Sequence, residues 1–202
     1  MPIDRSLELQ LSPELLNIFF PLLMEGVEVE IETGASVKML LIEQFGISAD
    51  YITTRITTLF LNSRAVDNAA TALVQDGAAL ALSGAMPGLV GATMRSGGFY
   101  AAMRGAMTHH NEEQIPLARQ GRIKLKLFNL LLDELGPRVL TRGIVLSAER
   151  LCRFLSAQPP GFRPLGCRLD GQALSVEQLR SQAQALKPAD VLKLKVQIGE
   201  AA

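Results

Sequence analysis

The feature that most constrains this chain is an order of local patterns that occurs twice. Leu7, Leu9 and Leu11 alternate with Glu8 and Gln10, the period of two that marks a half-buried strand. Ser12-Pro13-Glu14 supplies an N-cap, a first-turn proline and a first-turn acid for a short apolar helix through Leu15, Leu16 and Phe19, predicted to end near Pro21. Val27, Val29 and Ile31 then alternate with Glu28, Glu30 and Glu32, giving a second strand with one apolar and one acidic face. Ser36 caps a predicted helix over residues 37–45, with Met39, Leu40, Ile42 and Phe45 on its apolar side and Gly46 as its left-handed end. A strand at 58–61, the turn Asn62-Ser63, the turn Asp76-Gly77 and a strand at 78–83 complete this first pass.

The second pass has the same plan. Ile123, Leu125 and Leu127 alternate with Lys124 and Lys126, and an apolar piece over 130–135 is predicted to stop at Gly136-Pro137. A strand through 144–146 leads to Ser147 as N-cap and a helix with Leu151, Phe154 and Leu155 on its buried side. Leu169-Asp170-Gly171-Gln172-Ala173-Leu174 corresponds position by position to Leu61-Asn62-Ser63-Arg64-Ala65-Val66, and 191–196 closes the pattern with a strand. The same order in both halves points to a tandem duplication, with domains over 1–83 and 121–202 joined by a linker over 84–120.

That linker begins without any period, as Gly-Ala-Met-Pro-Gly-Leu-Val-Gly and then Arg-Ser-Gly-Gly. Over 99–110 a helical spacing places Phe99, Met103 and Met107 on one face, either to pack on a domain of the same chain or to receive a partner.

Charge excludes one class of function and raises a question. Twenty Lys and Arg balance twenty Asp and Glu, so no global basic excess exists to grip a nucleic-acid backbone. Residues 1–100 nevertheless carry 11 acidic and 5 basic side chains, net −6, and residues 101–202 carry 9 acidic and 15 basic, net +6. Such a dipole can join domain to domain, pair two chains head to tail, or present each half to a different partner. The 18 uncharged residues Gly77 to Met94 approach the length of a membrane span, but Pro87, Gly84, Gly88 and Gly91 argue against one. Two cysteines and a start without an apolar signal core point to the reducing cytoplasm.

In order and spacing these motifs resemble the ubiquitin-like β-grasp sulphur carriers, the family of the molybdopterin synthase small subunit and the thiamine sulphur carrier. Ile123-Lys-Leu-Lys-Leu-Phe128 through Leu130-Leu-Leu-Asp-Glu-Leu-Gly136 is similar to the family's opening strand and short helix. Gly34 to Ile47 is similar to its central helix, Phe60 to Arg64 to its Asn-containing turn, and Asp76 to Leu82 to its final strand. The resemblance implies an α+β chain of two tandem ubiquitin-like β-grasp domains, each a mixed sheet packed on one helix, joined by the Gly-rich and helical linker. It further implies a non-catalytic interaction or scaffold module near sulphur transfer or molybdopterin or thiamine cofactor assembly, with an activating or cofactor-assembly enzyme as partner and no cofactor of its own. A homodimer is compatible with it.

Carriers of that family work through a C-terminal Gly-Gly tail, whereas this chain ends Gln197-Ile-Gly-Glu-Ala-Ala202. Its Gly-Gly pair is internal, at Gly97-Gly98, so the alternative reading is a true sulphur carrier released by cleavage after Gly98. In the β-grasp plan the first and last strands are neighbours, which places Lys124, Lys126, Lys193 and Lys195 on one sheet face as a candidate partner-binding surface. No phosphate loop or nucleophile elbow is present. His109-His110-Asn111-Glu112-Glu113 offers at most two metal ligands per helix face, so no metal is expected. Cys152 and Cys167 read as small core side chains, each followed by an arginine, Arg153 and Arg168, that keeps a redox role open.

Overall fold

The computed structural model describes residues 5–109, 118–159 and 161–199. Chain order is β1 (Arg5–Leu11), a 3₁₀ helix (Pro13–Phe19) running into α1 (Phe20–Glu25), β2 (Val27–Glu32), α2 (Val37–Met39) continued by a π-helical turn (Leu40–Gln44), α3 (Ala49–Thr54), β3 (Thr58–Leu61), β4 (Arg64–Ala65) and β5 (Ala79–Ser83). There follow α4 (Gly88–Met94), a second 3₁₀ helix (Phe99–Met107), β6 (Gln120–Phe128), α5 (Leu131–Arg142), β7 (Ile144–Ser147), α6 (Ala148–Ser156), β8 (Gly166–Leu169), β9 (Gln172–Ala173), α7 (Val176–Ala185) and β10 (Val191–Ile198). The fold is mixed α/β, with strands in both parallel and antiparallel pairings.

Local chemistry explains most of these elements. Ser36, Ser48, Ser147 and Ser175 each accept the backbone N–H three residues on, satisfying a first-turn donor of the helix they open. Two helices run through prolines at which the sequence predicts a stop. Pro21 is the second residue of α1, where its missing N–H breaks no bond. Pro137 lies inside α5, and the turn beyond it buries Val139 and Leu140 completely enough to offset the lost hydrogen bond. The predicted helix over 99–110 is a 3₁₀ helix ending at Met107.

The chain forms two compact units. One joins the residues up to Leu22 to those from Gly136 onward; the other is Leu23–Leu135. In the first, the strands lie in the order β7-β10-β1-β8-β9, and in the second β2-β6-β5-β3-β4. Both have the same directions: antiparallel, then parallel, then antiparallel twice. The units differ from the sequence halves in one respect: the opening strand of each half lies in the sheet built by the other half. Leu7 and Leu9 of β1 stand in register with Leu194 and Val196 of β10, and Leu125 and Leu127 of β6 with Leu80 and Leu82 of β5. All eight side chains are buried.

Exchange corrects one expectation and answers another. Lys124 and Lys126 of β6 belong to one unit and Lys193 and Lys195 of β10 to the other, and the two strands are not the neighbours that the sequence pattern predicts: β6 pairs with β2 and β5, and β10 with β7 and β1. The cause is pairing: each basic strand lies beside an acidic strand of the opposite half. Glu8 stands in register between Lys195 and Arg168, Glu28 opposite Lys124, and Glu30 opposite Arg122, whose Nη1 lies 3.9 Å from Glu28 Oε2. By sequence, the unit containing β1 has 11 basic and 8 acidic side chains and the other 9 and 12, so the contrast between halves falls to +3 against −3. Half of the charge contrast is thus taken up within units, where acidic and basic strands pair.

Repeated detail marks corresponding positions. The β3–β4 turn has positive φ at Asn62 (50°) and Ser63 (65°), and the β8–β9 turn at Asp170 (52°) and Gly171 (80°), the backbone of a tight hairpin turn. Asn62 Oδ1 accepts the Ala79 N–H of β5 at 2.8 Å, and Asp170 Oδ1 accepts the Ser6 N–H of β1 at 2.8 Å. By this measure β1 fills in its unit the place that β5 fills in the other.

Candidate functional site

Residues 86–109 hold Gly97, Gly98 and the Phe99, Met103 and Met107 stripe, and the chain fastens them to the β3–β4 side of the Leu23–Leu135 unit. Ser96 N–H donates to the Thr57 carbonyl at 3.0 Å and Ser96 Oγ to the Val66 carbonyl at 2.8 Å. Gly97 N–H donates to Asp67 Oδ1 at 2.9 Å. Farther on, His109 N–H donates to the Ala65 carbonyl at 2.8 Å, beside a parallel bridge between Ala65 and Thr108.

Arg104 is the central fastening and was not legible as such in sequence. Its side chain is fully buried, and Nη2 donates to Asp67 Oδ1 at 2.6 Å and to the Arg95 carbonyl at 3.2 Å. Among the described residues Nε and Nη1 have no hydrogen-bond partner. One carboxylate oxygen therefore ties the Gly97 turn to the 3₁₀ helix, with a charge-assisted bond stronger than a neutral one.

With Arg104 turned inward, the apolar side chains are left outside. Phe99 is 93% exposed and Met103 72%, with Met107, Leu89, Val90 and Tyr100 exposed beside them in sequence. Phe99 and Tyr100 meet edge to face at 5.2 Å. All three side chains of the Phe99, Met103 and Met107 stripe are thus exposed among the described residues.

Gly97 and Gly98 form a turn. Gly97 has φ +61°, and Gly98 N–H donates to the Arg95 carbonyl at 3.1 Å. They are held by Asp67 and Arg95 and are not an extended tail in the intact chain. Lys124 and Lys195 are exposed, Lys126 and Lys193 half-buried.

Other candidate chemistry is dispersed. Cys152 is half-buried on α6, and Cys167 is buried on β8, where burial pushes its thiol up, the reverse of what a thiolate nucleophile needs. His110, Glu112 and Glu113 lie outside the described residues. Among the described residues no three His, Cys, Asp or Glu side chains stand together as metal ligands. No described helix is long and apolar enough to cross a membrane.

No protein-family model, curated protein or solved structure matches the chain.

Proposed function

We propose that this chain is a non-catalytic protein-binding module of ubiquitin-like β-grasp type, made of two divergent copies, that presents the segment 88–107 to a protein partner. Two things support the β-grasp reading: each unit sets a parallel central pair of strands between antiparallel neighbours, and the capped helices follow the second strand of each half. The observation that carries the binding reading is the exposure of Phe99, Met103 and Leu89 on a segment anchored through a buried arginine. Aromatic and Met side chains are enriched in protein interfaces, and a backbone that is already fixed lowers the entropy lost on binding. The resemblance to sulphur carriers suggests a cofactor-assembly or activating enzyme as that partner.

A photoreactive phenylalanine analogue at Phe99, in the cells that make the protein, tests the reading. One defined protein adduct at Phe99, absent when the same group replaces exposed Gln172, is the expected result; equal labelling from both positions refutes it. Intact mass from those cells separates this reading from the carrier alternative. A carrier would end at Gly98 with sulphur in place of one terminal oxygen, after leaving the turn held by Asp67.

A further inference from the structure

A cavity of about 300 Å³ lies in the Leu23–Leu135 unit between α2, α3, the segment after β4 and the end of α4. Its apolar lining comes from Ile52, Ile56 and Val66, all buried core residues. Its polar lining includes two cations, Lys38 and Arg95. Among the described residues neither has a carboxylate within ion-pair distance, although the unit as a whole is acidic by sequence.

The other polar groups of the lining have settled roles. Thr53 Oγ1 donates to the Asp50 carbonyl at 2.9 Å, Thr57 Oγ1 to the Gly84 carbonyl at 3.1 Å and Ser96 Oγ to the Val66 carbonyl at 2.8 Å, so none has a proton to offer a ligand. Asn68 Oδ1 accepts the Ala70 N–H at 2.9 Å, which leaves its Nδ2 as a donor. Asp67 also lines the cavity, and its Oδ1 is engaged by Gly97 N–H and Arg104 Nη2. Arg104 balances the charge of that carboxylate, which keeps Oδ2 as an acceptor. With Asp67 balanced by Arg104, Lys38 and Arg95 leave the lining with uncompensated positive charge, and Asn68 Nδ2 adds a donor.

We propose that this cavity binds a small organic anion, a carboxylate or phosphate monoester with a short aliphatic body. Lys38, Arg95 and Asn68 Nδ2 hold the head group, and Ile52, Ile56 and Val66 cover the chain. The size suits such a ligand, at the lower end of small-molecule sites. A head group against an apolar wall is screened less than in water, so two cations suffice to hold it. The site is independent of the protein-binding reading and survives its failure.

The test is a titration of the full-length ¹⁵N-labelled chain with four probes: n-butyl phosphate, pentanoate, inorganic phosphate and 1-butanol. Saturable shifts of the Asn68 and Ser96 amides are expected with butyl phosphate or pentanoate at up to about 10 mM, and which of the two binds tighter names the head group. Inorganic phosphate and butanol are expected to bind at least about tenfold more weakly, each lacking one half of the ligand. Lys38→Gln and Arg95→Gln, both outside the core, are each expected to weaken binding about tenfold while leaving the rest of the spectrum in place. No saturable shift with either organic anion overturns the proposal, as does binding unchanged in both variants. Equal affinity for inorganic and butyl phosphate overturns the apolar half.

Discussion

The alkyl chain of Lys124 lies across Gly26 so closely that a Cβ on the glycine would stand 2.7 Å from Lys124 Cε, and Lys193 crosses Gly143 in the same way, at 2.9 Å. Each glycine precedes the strand after a helix, β2 or β7, and has φ near +100°, at +101° and +105°. The covering lysines come from β6 in one unit and β10 in the other, strands from opposite ends of the second sequence half. The same local packing is therefore met by different pieces of chain.

Gly26→Ala and Gly143→Ala should each destabilise the protein, by about 1–3 kcal/mol, because the backbone conformation disfavours any Cβ. The lysine stems can move aside, so the strain comes from φ and not from the contact. Urea unfolding of the two variants checks this, and similar losses are expected at both positions.

Asp67 and Arg104 make an asymmetric pair, since the Arg104 side chain is fully buried and that of Asp67 is 36% exposed. Asp67→Ala leaves a buried guanidinium without its carboxylate and should lose about 3–5 kcal/mol. Arg104→Met removes the charge together with the two unpartnered nitrogens and should lose about 1 kcal/mol or less. Denaturant midpoints measured side by side should keep this order.

How much of this was written in the sequence depends on the range of the interaction. The Asn62-Ser63 and Asp170-Gly171 turns, the Ser36 and Ser147 caps and the strands at 27–32 and 144–146 were legible because four or five adjacent residues determine them. The Ser175 and Gln178 capping box before Leu179 and Ala183 was equally local, and it is the signal by which α7 could have been found. Strand exchange was not legible: alternation at Leu7, Leu9, Leu11 and at Ile123, Leu125, Leu127 says that each strand has one buried face, and is silent on which strand satisfies its edge. Arg104 was hidden for the same reason. An arginine in an uncharged run reads as a surface cation until Asp67, 37 residues earlier, is placed beside it.

Phe19 and Phe154 stack at 4.8 Å with an interplanar angle of 30°, joining the 3₁₀ helix after β1 to α6. Phe19 is fully buried, so the N-terminal segment is part of the core of the unit formed by the second half. Phe19→Ala should lose about 3–5 kcal/mol, measured by urea unfolding. If residues up to Leu22 were an appendage of the first half, fluorescence of a tryptophan placed at Leu165 would not respond to that change; here it should report unfolding at lower urea.

Glu134 at the start of α5 accepts hydrogen bonds from the Arg55 guanidinium and from the Tyr51 hydroxyl, which hold its carboxyl below the usual carboxylate range. Its folded value is depressed, so its contribution to stability is present above the unfolded value of about 4.3 and is lost as pH falls through the folded one. Glu134→Gln should therefore be less stable than the parent near neutrality, and the two should converge as the solution is acidified. Urea midpoints of both proteins between about pH 6 and pH 2 check the sign.

Removing the exposed apolar groups should separate their role from folding. Phe99 at 93% and Met103 at 72% exposure have almost no buried area to lose, so Phe99→Ser with Met103→Ser should stay within about 0.5 kcal/mol of the parent in urea. Arg104, directly after Met103, still binds Asp67 and Arg95, which keeps the backbone of the segment in place. Binding of an environment-sensitive apolar dye to the folded protein should fall in the double variant, because the patch is the dye's surface. A large loss of stability would instead mean that these side chains pack on the chain itself, and would remove the observation on which the protein-binding reading rests.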